Sequence, residues 1–192
     1  MINHSLYLCN GLSTVLIGKE YVQPGKDDFP ATSYKNADIE VVLENTTDYV
    51  RDIIGGVKLL NTHRHVLVDV KVHDLGISDI PALPNIHMDF CRNPIERRPD
   101  EIHNLFVSGS AALTKFLTND KWVFCPETGN VNWNKILADT HFSPIKSCVI
   151  HTYGEHIHRA VPAKFPEKRL LVRVTETSRV EPSNKPFKVT YK

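Results

Sequence analysis

The sequence predicts a mainly β protein, an antiparallel sandwich or barrel, on three observations: one clean period-two alternation, a series of short strand-like segments behind it, and a single clear helical stretch ahead of it. The alternation is HVLVDVKVHDL. It sets Val66, Val68, Val70 and Val72 on one face and Leu67, Asp69, Lys71 and His73 on the other. IHMDFC, HNLFVSG, ALTKFL, KWVFC, KSCVIHTY and RLLVRVTE follow, parted by Pro, Gly, Asn or Asp at short intervals. Strands in succession, without helices between them, disfavour a βαβ sheet.

Taken in order, the first forty residues mix short apolar stretches (SLYLCN, STVLIG) with turn formers such as Pro24, Gly25 and Pro30, and read as short strands and loops. In NTTDYVRDIIGGVKLLN, Thr46 or Thr47 caps a helix whose apolar positions Val50, Ile53, Ile54, Val57 and Leu60 recur at helical spacing. Gly55 and Gly56 weaken that helix or end it early. His73 and Asp74 precede a glycine turn and are expected to cap a strand end. SRVEPSNKPFKVTYK is polar, is broken by Pro182 and Pro186, and is expected to pack on the outside.

The 192 residues, 41% hydrophobic and 23% charged, suit one well-buried core and hence a single domain over 1–192. No apolar run approaches the roughly 18 residues needed to span a bilayer. MINHSLYLCNGL lacks the basic region and long apolar core of a secretory leader, so a cytoplasmic protein without a membrane partner is expected. Cys9, Cys91, Cys125 and Cys148 form no CxxC pair, which argues against a structural zinc cluster or a disulfide framework. The net charge of +1 argues against a nucleic-acid partner, although Arg159 to Lys192 holds nine Lys/Arg against three Asp/Glu. That basic end is either a solvated face or a source of anion-binding arginines.

Two segments carry the candidate chemistry. In PNIHMDF a period of two aims His87, Asp89 and Cys91 to one side, while Ile86, Met88 and Phe90 face the other. By itself a His-x-Asp pair also fits a polar sheet face. In HTYGEHIHRAVPAKFPEKRLLVRVTE, His156 and His158 alternate onto one face, and Arg169, Leu171, Arg173 and Thr175 share a face of the next strand. Two arginines so spaced can clamp a carboxylate through charge-assisted bonds, or can guard the outer face of an edge strand.

Together these segments resemble the Fe(II)/2-oxoglutarate-dependent oxygenases, specifically their phytanoyl-hydroxylase-like and taurine-dioxygenase-like branches within the cupin superfamily. The resemblance covers roughly residues 66–176. It implies a double-stranded β-helix (a jelly-roll, cupin-like barrel) with one or two peripheral helices, the other N-terminal and C-terminal segments packed outside. It also implies Fe(II) on His87, Asp89 and His158, with 2-oxoglutarate held by Arg169, eleven residues beyond His158, and Arg173 helping as the Arg-x-Ser/Thr form of the motif. His156 fits the distal position by periodicity as well; the His-x-His motif of other cupins fits less well, since Pro162 stands where its Glu belongs. Two imidazoles and one carboxylate on one triangular face leave three positions open, enough for a bidentate 2-oxo acid and O₂.

The expected activity is hydroxylation of a small molecule or a modified residue. The rival is a cupin-like binding protein that holds a small anionic ligand without turnover. Arg92, Arg97 and Arg98, in a loop after the metal segment, either meet an anionic substrate or are solvated. Cys91 reads as a buried strand thiol, His63 and His65 as a polar loop before a strand, and Trp122 and Trp133 as core or loop-base residues.

Overall fold

The computed structural model of the chain describes residues 15–60, 63–82, 87, 101–117, 142–154, 156–178 and 180–189. Asp89, Cys91, Arg92, Arg97, Arg98, Trp122, Trp133, Cys9, Cys125 and the KWVFC segment lie outside these residues. The described chain is mainly β, with strands β1 (Leu16–Glu20), β2 (Tyr34–Asp38), β3 (His65–Leu75), β4 (Ile102–Val107), β5 (Lys115–Leu117), β6 (Phe142–Pro144), β7 (Val149–Tyr153), β8 (His158–Arg159) and β9 (Glu167–Thr177). Two helices, α1 (Ile39–Glu44) and α2 (Asp48–Gly55), precede β3. No helix among the described residues is long and apolar enough to cross a membrane.

The strands form two antiparallel sheets, one ordered β1-β7-β4-β9-β3-β2 and one ordered β6-β5-β8. β3 and β9 pair over their full length, from His65 opposite Thr177 to Leu75 opposite Glu167. Their alternation now has a physical cause. Val68, Val70, Leu170, Val172 and Val174 face the helices and join Val42, Val50, Ile53, Ile54 and Phe106 in the main core. The other face of the same sheet gives Leu105, Val107, Tyr153 and Leu171 to a second core, closed by Phe116 and Ile145 from the β5-β6 side.

Helix α2 starts where expected. The Thr47 side chain accepts from the Val50 N–H, and Gly56 receives the last turn. Its length falls short of the periodic pattern: Val57 packs on the core from beyond the helix end, as the paired glycines foretold. Ile53 is almost wholly buried, and burial of such a side chain stabilises by about 1.5–3 kcal/mol. Around it Tyr21, Tyr49 and Phe106 meet edge to face, with centroids 5.6–6.4 Å apart. The described part of the first forty residues holds strands β1 and β2 with loops between, in line with the sequence pattern, whereas helix α1 falls at Ile39–Glu44, between the stretches the pattern addresses. Its N-cap, Asp38, accepts from the Glu40 N–H, but six residues are too few to show a period.

The C-terminal segment packs on the outside, and it does so along an edge. Pro186 bridges to Tyr34, Ser183 N–H donates to Asn36 O, and Phe187 N–H donates to Ser33 O, each donor 2.7 Å from its acceptor. The exposed edge of β2 is thereby covered.

His73 corrects the reading of it as a strand cap. It lies inside β3 opposite Arg169, fully buried, with Nε2 3.2 Å from the Pro81 carbonyl oxygen. The period of two that aims Asp69 inward also aims His73 inward, whatever turn follows. Burial first, and then the Arg169 and Lys71 charges, push its pKa down to about 3. Burial also pushes His151 down.

An unfolded histidine titrates near ~6.5, so the unfolded chain takes up protons that these rings refuse. Their stabilising contribution is complete above that pH and is lost as pH falls through it toward the folded value, approaching ~1.4 kcal/mol per pH unit for His73. The urea midpoint is expected to fall steadily from pH 7 to pH 4, with a shallower slope in His73→Phe. A flat profile in the wild type would show that His73 is charged in the fold.

Candidate functional site

His87 and His158 are brought together by the backbone. Each donates its N–H to the other's carbonyl oxygen, at 3.0 and 2.9 Å, in an isolated antiparallel bridge on the free side of β8. Residues directly opposite in such a bridge project to the same side, and the two rings stand 4.4 Å apart at 56°. On the other flank of β8, Phe116 is opposite His158, with ring centroids 5.0 Å apart. Tyr153 of the larger sheet approaches the His158 ring to 5.6 Å. The histidine pair therefore faces the interior between the sheets.

The two candidate distal histidines have opposite tautomers. His158 Nδ1 lies 2.9 Å from the His156 carbonyl oxygen, which only accepts, so Nδ1 carries the proton and Nε2 keeps its lone pair. His156 Nδ1 receives the Gly154 N–H at 3.2 Å, so in this ring the proton sits on Nε2. A carbonyl behind Nδ1 is the usual support of a metal-ligating histidine, and His158 has it. His156 is buried against Tyr153 and Phe116, and burial, with His158 nearby, pushes its pKa down to about 4.

Asp89, the expected carboxylate ligand, lies outside the described residues. Among the described residues no three His, Cys, Asp or Glu side chains gather as metal ligands do. His63 and His65 sit in carboxylate contacts instead, His63 4.0 Å from Glu176 and His65 3.3 Å from Glu181.

The arginines divide by partner. Both lie on β9, a central strand of the six-stranded sheet, which removes the edge-strand alternative. Arg169 is 1% exposed and donates through Nη1 to the Ala112 carbonyl. It shares its face of β9 with Leu171, which packs with Phe116 and Tyr153, so it looks into the interior that His158 faces. Arg173 is held by Asp69, Nη2 to Oδ2 2.7 Å, and Lys71 reaches the same oxygen at 3.3 Å. Asp69 Oδ1 accepts from the N–H of Asn36, whose φ of 51° marks a bulge in β2. Burial alone would raise the Asp69 pKa; the Arg173 and Lys71 charges and the Asn36 N–H outweigh it and hold the carboxyl below its ordinary range.

Sequence reasoning missed Glu167 altogether. Its carboxylate accepts from Ser110 N–H (2.8 and 3.0 Å) and Ala111 N–H (2.8 Å), pinning the loop whose Ala112 carbonyl receives Arg169. Gly109, at φ 80°, permits that close approach, since a Cβ there would run into the carboxylate. Glu167→Ala is expected to cost about 1–3 kcal/mol in urea denaturation and to speed amide exchange at Ser110 and Ala111. Unchanged exchange at those amides would show that the loop holds itself. A glycine before a strand-bound glutamate, fifty-eight residues apart, is no readable signal in one sequence.

Comparison with protein-family models, with curated proteins and with solved structures returned no match to the chain.

Proposed function

We propose that the protein is a non-haem Fe(II)/2-oxoglutarate-dependent oxygenase that hydroxylates a small molecule or a modified residue. The observation that carries this reading is the His87–His158 pair, set side by side by reciprocal backbone bonds, with the His158 ring oriented by the His156 carbonyl behind its Nδ1. Strand order supports the double-stranded β-helix. Among the described residues from β3 to β9, the chain passes back and forth between the sheets except from β5 to β6, with β3, β4, β7 and β9 in the larger one and the His87 bridge, β5, β6 and β8 in the smaller.

In this reading His87, His158 and Asp89 hold the metal, and Arg169 holds the distal carboxylate of the oxo acid by a charge-assisted bond. When bound, Fe(II) and 2-oxoglutarate supply O₂ activation and a two-electron oxidation coupled to decarboxylation. The chain supplies the rest. The Ala112 carbonyl and the Glu167-pinned loop orient Arg169, the His156 carbonyl orients His158, and Phe116, Tyr153 and Leu171 exclude water from the interior. Arg173, committed to Asp69, serves as support rather than as the main carboxylate contact.

The test is anaerobic addition of Fe(II) and 2-oxoglutarate, with the weak visible charge-transfer band of the chelate as readout, followed by succinate release in air. Arg169→Ala is expected to keep the metal and lose the band. A wild type that binds no iron and shows no band sinks the proposal. A band without succinate leaves the binding-protein reading.

A further inference from the structure

We propose that His156 positions the substrate, its buried Nε2–H donating a hydrogen bond to an acceptor oxygen of the molecule seated beside His87 and His158. This rests on the metal reading of that pair, and the test below separates the two.

His156 is 6% exposed and wedged edge-on between Tyr153 and Phe116, with centroids 6.2 and 6.3 Å away. The same two rings flank His158, so His156 belongs to the wall of the same interior. Because Gly154 N–H donates to Nδ1, the ring proton is on Nε2. Among the described residues Nε2 has no hydrogen-bond partner. A buried donor left without an acceptor costs stability that an apolar ring in the same space would not. A ligand oxygen arriving from the interior satisfies it.

In the proposed reading the oxo-acid's distal carboxylate belongs to Arg169, so the acceptor at His156 is assigned to the second molecule, seated beside His158 because Tyr153 and Phe116 flank both rings. Since Nε2–H only donates, that molecule presents a carbonyl, carboxylate or hydroxyl oxygen there, and an ammonium group is disfavoured.

The experiment uses the full chain labelled with ¹⁵N-histidine, loaded with redox-silent Zn(II) and 2-oxoglutarate, and titrated with benzamide as a carbonyl probe or benzylamine as a cationic one. Benzamide is expected to move the His156 Nε2–H resonance downfield, and benzylamine to leave it in place. In His156→Phe, benzamide affinity is expected to fall at least ~10-fold, with Zn(II) and 2-oxoglutarate affinities unchanged.

A proton on His156 Nδ1, an unmoved Nε2–H resonance, or equal benzamide binding by His156→Phe overturns the proposal. So does a Zn(II)-induced shift of the His156 nitrogens, which would make His156 the ligand. Failure of the metal reading looks different: the His87 and His158 nitrogens stay where they were when Zn(II) is added, whatever the His156 tautomer.

Discussion

Replacing His158 with alanine is expected to lower Fe(II) affinity by more than ~100-fold, whereas His156→Ala leaves it within ~10-fold. The asymmetry follows from the tautomers. His158 turns its Nδ1–H toward a carbonyl oxygen, which puts its ring lone pair on Nε2, while His156 spends its Nδ1 lone pair on the Gly154 N–H. To bind a metal through Nε2, His156 would first have to give up that bond and shift its proton. The support that His158 takes from residue 156 is the backbone carbonyl, which an alanine retains. Isothermal titration under anaerobic conditions distinguishes the two variants. Equal losses, or a larger loss at His156, would exchange their roles. His87→Ala should match His158→Ala, since the two rings face each other at 4.4 Å.

Asp69→Ala is expected to cost about 3–5 kcal/mol, a large share of the ~5–15 kcal/mol that holds a domain together. Asp69 is 2% exposed and is contacted by both Arg173 and Lys71, so its removal leaves two cations against each other in a poorly solvated interior. It also strips the bulge at Asn36 of the acceptor for its N–H. Restoration of stability by Arg173→Met in the Asp69→Ala background would identify the stranded guanidinium as the cause, as a double-mutant cycle in urea can read.

The pH dependence has a definite sign. Because the folded Asp69 pKa is depressed, its stabilising contribution is complete above the ordinary carboxylate pKa near ~3.9 and is lost as pH falls through the lower folded value. This loss comes at more acidic pH than that of His73, so the two are separable in one titration. A cost under ~1 kcal/mol for Asp69→Ala would place the cluster in water.

Strand β3 was readable because one side of a sheet here packs on helices and the other faces a partly polar interior, so each residue's environment alternates with the pleat. The turn after His73 suggests a strand cap, whereas its parity with Asp69 sets it on the inward face of β3. The His87 and His158 positions were named from motif spacing and resemblance. Which histidine carries a usable lone pair depends on hydrogen bonds to Gly154 and to the residue 156 carbonyl, which no composition or period encodes.

The arginine face shows the same division. Alternation put Arg169, Leu171 and Arg173 on one side of β9, but gave no indication that Asp69, 104 residues earlier, would claim one guanidinium and the Ala112 carbonyl the other.

By itself, then, the sequence determined the β-rich class, the faces of β3 and β9, the start of α2 and the segments that carry the candidate ligands. These are local consequences of side-chain period and backbone preference. Tertiary structure alone decided which arginine is committed to an internal carboxylate, which histidine keeps a lone pair on Nε2 and how Glu167 pins its loop. Each of these rests on hydrogen-bond direction between specific groups, and most join segments far apart in the chain, which meet only when the sheets close.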